Sequence, residues 1–124
     1  MRVLIADDHP VVLEGLAAMI GYTPDMVVVG QAGNGSQAVE MFRALSPDVG
    51  LFDLRMPELD GVGLYRELEQ QHPSVLRRLA FVSGTTEPPE YASFLERTGA
   101  TVLGKPFALA NLQRLVQRLL QNQQ

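Results

Sequence analysis

The chain has 124 residues, 46% hydrophobic and 19% charged, with a net charge of −4 and no cysteine. This is the size and composition of one globular domain with a single core, and it excludes disulfides, thiolate metal sites and cysteine nucleophiles. No apolar run reaches the ~18 residues of a membrane span and the N-terminus lacks a signal sequence, so a cytoplasmic location and no membrane partner are expected. Nine scattered arginines and the lone Lys105 form no basic face, so no direct nucleic-acid binding is expected.

Arg2 to Ala6 is an apolar run after one charge, ended by Asp7-Asp8-His9-Pro10, and predicts a buried parallel strand. Val12, Leu13, Leu16, Ala17, Met19 and Ile20 form a helical stripe, with Pro10 suited to its first turn and Gly21 to its end. Met26 to Gly30 is rich in β-branched residues and predicts a second strand, bounded by glycines up to Gly35. Ser36 is the expected cap of a helix whose apolar face is Ala38, Val39, Phe42 and Leu45, and Pro47 stops it.

Val49 to Phe52 predicts a third strand that delivers Asp53 to a loop, with Met56-Pro57 and Asp60-Gly61 supplying the turn. A helix follows from Gly61 to Gln71 and breaks at His72-Pro73. Leu79 to Val82 is the fourth strand and ends at Ser83-Gly84-Thr85-Thr86. Pro88-Pro89 opens a helix through Tyr91, Phe94 and Leu95 to a Gly99 stop. Thr101 to Leu103 is a short fifth strand before Gly104-Lys105-Pro106-Phe107. Leu109, Leu112, Leu115, Val116, Leu119 and Leu120 mark the last helix.

Five strands alternating with five helices predict an α/β fold, a parallel sheet with right-handed crossovers and helices on both faces. Every strand-to-helix junction then lies on one edge, where open α/β sheets bind ligands. Four of the five junctions contribute polar groups: Asp7 and Asp8, Asp53, Ser83 and Lys105. The second offers glycines, Asn34 and Ser36. Three carboxylates in one cleft repel unless a cation or protons share the site. Oxygen ligands without cysteine favour Mg²⁺. A lysine and a hydroxyl opposite can meet phosphoryl oxygens, so the set suits phosphoryl transfer with a carboxylate as nucleophile.

Asp7-Asp8, Asp53 within Asp-Leu-Arg-Met-Pro-Glu-Leu-Asp-Gly, Ser83 and Lys105-Pro106-Phe107 closely resemble the receiver domain of two-component response regulators, along the whole chain. The resemblance implies a flavodoxin-like (CheY-like) three-layer sandwich with strand order 2-1-3-4-5, residues 1–124 forming the receiver and 121–124 a linker or tail. It implies that Asp53 is phosphorylated by a histidine kinase or histidine phosphotransfer protein. Asp8, Asp53 and the backbone carbonyl of Arg55 would bind Mg²⁺, with Asp7 acting mostly through a bound water. Lys105 would contact the phosphoryl group, and the Lys105-Pro106 bond would be cis. Such a domain is not an enzyme beyond its own phosphorylation and dephosphorylation. An output or kinase domain outside this chain and a homodimer are further implied partners.

Two glycine patterns mimic nucleotide sites. Gly99 to Lys105 fits a phosphate loop, but Pro106 stands where a Ser or Thr should hold the metal; Gly33 to Ala38 fits a dinucleotide turn but explains neither the acid pair nor Lys105. A phosphatase of the haloacid dehalogenase type needs a second Asp two residues after the nucleophile, where this chain has Arg55. Receivers commonly carry Tyr or Phe three residues before the lysine, whereas this chain has Val102. That departure keeps open a second reading, a phosphorylation-independent pseudo-receiver acting as a protein-interaction module. The opening through Leu16 is similar to regulators with a helix-turn-helix output, and Val-Leu-Gly-Lys-Pro-Phe to receivers of hybrid kinases. Neither His9 nor His72 is expected to act as a ligand or catalyst.

Overall fold

The computed structural model describes residues 1–71, 73–83, 89–104 and 108–121. Its strands are β1 (Arg2–Ala6), β2 (Val27–Ala32), β3 (Val49–Asp53), β4 (Leu79–Ser83) and β5 (Thr101–Gly104). The helices are α1 (Pro10–Gly21), α2 (Gly35–Leu45), α3 (Gly61–Gln71), α4 (Pro89–Thr98) and α5 (Leu109–Gln121). All strand pairs are parallel and the order is β2-β1-β3-β4-β5, as expected for the receiver topology.

The alternation of side chains along each strand divides the core into two layers. Leu4, Phe52 and Phe81 face α2, α3 and α4, where they join Phe42, Leu64 and Phe94. Val3, Ile5, Leu51 and Ala80 face α1 and α5, where they join Leu16, Ile20, Leu112 and Val116. β3 and β4 are buried at every position, so the strand that carries Asp53 is the centre of the sandwich.

Several boundaries depart from expectation. β2 begins at Val27 and continues through Gly30 to Ala32, because β1 offers pairing partners as far as Ala6 and an isolated glycine does not end a paired strand. One residue of β2, Val29, is bulged between the Val3–Val28 and Leu4–Gly30 pairs. The cap of α2 is Asn34 rather than Ser36: its side chain accepts from Gln37 N at 2.8 Å, while Gln37 Oε1 accepts from Gly33 N at 2.7 Å. An unforeseen 3-10 turn, Pro73–Arg78, leads into β4 and is anchored by buried Val75. Gly99 does end α4, with φ +65.

The loop after β3 is held from four sides. Leu54 and Met56 insert into the core, Gly61 N donates to Leu54 O at 2.8 Å, and Glu58 takes a left-handed φ of 67 to complete the bend. The N-terminus of α2 closes on the loop so tightly that a Cβ on Gly35 would lie 1.7 Å from Leu59 O. Asp60 joins loop and helices, one carboxylate oxygen accepting from Gly63 N at 2.9 Å and the other from the Tyr91 hydroxyl at 3.1 Å. Burial, together with the hydrogen bond to Asp60, pushes the Tyr91 hydroxyl up from 10.0 to about 12.

Two measurements check this scaffold. Gly35→Ala should cost at least about 2 kcal/mol in urea unfolding, as overpacking against backbone does, whereas Gly15→Ala, with open space around the added Cβ, should gain roughly 0.5–1 kcal/mol in its helix; equal effects would refute the close contact. Because the folded state holds the Tyr91 proton more tightly than the unfolded state, the associated stability is full below pH 10.0 and is lost as pH rises through about 12. Ultraviolet titration of phenolate should therefore show a last step that Tyr91→Phe removes and Asp60→Asn moves to lower pH; a last step unmoved by Asp60→Asn would contradict the Asp60 bond.

Candidate functional site

The residues singled out in the sequence gather at the carboxyl edge of the sheet. Asp7 follows β1, Asp53 is the last residue of β3 and Ser83 the last of β4; these three are the buried polar residues among those described, at 1%, 5% and 7% exposure. Asp8 is partly open to water. Ligand atoms of Asp7, Asp8, His9 and Asp53 all lie within 4.8 Å of one another. Lys105 lies outside the described residues, as do Pro106, Phe107, Gly84, Thr85, His72 and the tail. Gly104, which precedes Lys105, pairs with Ser83 across β4 and β5.

Local backbone chemistry fixes the acids. Asp7 Oδ1 accepts from His9 N at 2.9 Å, folding the turn that starts α1, and Pro10 then occupies the first helical turn, where it forfeits no intrahelical bond. Asp53 Oδ1 faces Arg55 N at 3.4 Å, so the chain turns away from the strand while the carboxylate stays in the cleft. His9 Nδ1 lies 3.0 Å from Asp7 Oδ1 and 2.9 Å from Asp8 Oδ1, within hydrogen-bond reach of both. Nothing in the sequence separated His9 from ordinary turn chemistry; the ring joins the acids because the turn folds back upon them. Its side chain is 67% exposed, at the outer side of the cluster.

Within 4.8 Å of one another, two full negative charges repel by roughly 3 kcal/mol at an effective dielectric of about 20, and by less where Asp8 faces water. The donor set fits a hard divalent cation: carboxylate oxygens from two strand ends, with one side open for water and substrate. An acidic cluster of this composition at this edge is typical of a receiver-domain Mg²⁺ site. Asp60 and Tyr91, which tie the Asp53 loop to α3 and α4, were missed in the sequence. A carboxylate just before Gly61 at a helix start is a capping signal that could have identified Asp60; the partnership with Tyr91 spans thirty-one positions and leaves no local trace.

A family model for the response regulator receiver domain matches residues 3–117. The response regulator GacA of Pseudomonas viridiflava is 32% identical over 116 residues, which cover 94% of this chain and 53% of GacA. Protein-glutamate methylesterase/protein-glutamine glutaminase 5 of Anaeromyxobacter dehalogenans is 38% identical over 107 residues, 86% of this chain and 29% of that protein. The crystal structure of a LuxR-family two-component response regulator from Aurantimonas sp. SI85-9A1 superposes with a TM-score of 0.85 at 25% identity, covering 99% of this chain and 86% of that one. The chain spans about half the length of GacA and less of the methylesterase, so its curated relatives carry further domains. The order of the sheet, the acids at its carboxyl edge and these matches agree, and the chain belongs to the response regulator receiver domain family of two-component signalling.

Proposed function

We propose that Asp53 is the phosphoacceptor of a two-component phosphorelay, taking its phosphoryl group from the phosphohistidine of a histidine kinase or histidine phosphotransfer protein. One observation carries the reading: the carboxylates of Asp7, Asp8 and Asp53 meet at one edge of the sheet, with the acid at the end of the central strand almost wholly buried. An Asp53 oxygen attacks phosphorus in line with the P–N bond; the new P–O bond forms as the P–N bond breaks, and the imidazole leaves with a proton. Asp8, Asp53 and the Arg55 carbonyl are the residues that would hold Mg²⁺, with Asp7 acting through a water. When bound, that ion supplies charge neutralisation for the phosphoryl oxygens. Ser83 donates a hydrogen bond to one phosphoryl oxygen and Lys105 pairs with another.

In this reading residues 1–124 act as one receiver unit, with 121–124 a linker or tail. The domain catalyses only its own phosphorylation and dephosphorylation and switches partner binding as a shift between two conformers. Further domains attached to it, and a homodimer, belong to the same proposal; the lengths of GacA and the methylesterase support the former. Among the described residues no helix is long and apolar enough to cross a membrane, which agrees with a cytoplasmic site of action. Val102, 39% exposed on β5, favours the pseudo-receiver reading, and the assembled acids weigh against it.

Incubation with acetyl phosphate and Mg²⁺ should add a single phosphoryl group to the wild-type chain, visible by intact mass, and none to Asp53→Asn or Asp53→Ala. Equal labelling of the variants would sink the assignment of Asp53, and an unlabelled wild type would favour the pseudo-receiver.

A further inference from the structure

A groove runs between α3 and α4, away from the acid cluster. It comprises two cavities, one of about 390 Å³ reaching Asp60 and Tyr91 and one of about 240 Å³ reaching Tyr65 and Thr98. Both are lined by Arg66, Phe94 and Arg97, so they adjoin. The walls are aromatic: half-buried Tyr65 and Tyr91 line the groove, and the Tyr65 ring rests edge-on at 5.2 Å on Phe94, which is buried beneath. The two arginines are exposed, one on each helix. Although Glu69 and Glu90 line the same groove, among the described residues neither guanidinium has a carboxylate within 4.0 Å. Asp60, the remaining acid, is engaged by Gly63 N and the Tyr91 hydroxyl.

Surface arginines commonly remain solvated, and one alone would carry no argument. Here two guanidinium forks with donors to spare flank an aromatic-walled groove whose larger cavity, about 390 Å³, falls in the range of small-ligand sites, about 300–1,000 Å³. An oxyanion satisfies guanidinium in the bidentate geometry, and a flat apolar body offers a face to the half-buried Tyr65 and Tyr91. We propose that this groove binds an aromatic oxyanion, a ring bearing a carboxylate or phosphate, with Arg66 and Arg97 holding the charged group and Tyr65 and Tyr91 flanking the ring. The site does not depend on phosphorylation of Asp53. Its ligand would lie against the Tyr91–Asp60 bond and hence against the loop that positions Asp53.

The test is an amide-resolved NMR titration of the whole chain with benzoate and with phenyl phosphate, at fixed ionic strength and with EDTA to keep metal from recruiting phosphate to the acids. Acetate, inorganic phosphate and benzyl alcohol are the controls for charge without ring and ring without charge. Saturable shifts confined to residues 60–69 and 90–98 are expected for at least one aromatic anion. The Arg66→Gln/Arg97→Gln chain should bind it at least about tenfold more weakly, a loss of about 1.4 kcal/mol, with thermal melting confirming that it folds. Each single variant should fall between. Shifts that stay linear, that map elsewhere, or that survive in the double variant would overturn the site, and acetate or inorganic phosphate binding as tightly as its aromatic counterpart would overturn the role of the ring.

Discussion

The constraint on which the rest of the structure depends is charge crowding at the carboxyl edge of the sheet. A parallel sheet with β1 and β3 side by side delivers Asp7, Asp8 and Asp53 to one place, and the ligand atoms come within 4.8 Å. Burial of Asp7 and Asp53 removes the water that would screen them. Each carboxylate raises the cost of ionising its neighbours, and positive charge brought to this edge lowers it. A domain whose centre gathers charge in this way is well suited to a switch, because added charge acts on groups already crowded together.

The surrounding fold keeps the crowded acids in place. Two apolar layers clamp the central strands, so Asp53 cannot withdraw without disturbing Phe52 and Leu54 on either side of it, both fully buried. The loop beyond is fixed by the Gly35 approach to Leu59 and by Asp60, whose two oxygens serve α3 and α4. A displacement of the loop therefore reaches α4 through Tyr91 and the aromatic contacts among Tyr65, Phe81 and Phe94. This chain of contacts is a physical route between the acid cluster and the α3–α4 groove.

Much of this was legible in the sequence because the signals are local. Apolar periodicity identifies all ten main elements, and strict alternation of strand and helix forces the junction residues onto one edge, which is why Asp7, Asp8, Asp53 and Ser83 group together from the sequence alone. The boundaries were less legible where pairing or capping depends on a neighbour. Gly30 looked like a strand end until β1 supplied it with a partner, and Asn34 outcompeted Ser36 because Gln37 completes the cap from the other side. The 3-10 turn has no strong period of its own, and His72-Pro73 indicated only a break. Partnerships that span the fold, such as Tyr91 with Asp60, leave no pattern in a one-dimensional reading. His9 is the subtler case: its neighbours were recognised, but its position over them follows from the turn geometry.

Charge crowding at the acid cluster is tested most directly by thermal melting of the wild-type chain and Asp8→Asn, each with EDTA and with saturating Mg²⁺. Relieving one carboxylate should raise the metal-free melting temperature, by roughly 3–5 °C for each kcal/mol of repulsion removed in a domain of this size, and should shrink the further gain from Mg²⁺. If Asp8→Asn instead melts below the wild type without metal and gains as much from Mg²⁺, the acids are not held in mutual repulsion and the account of the site fails.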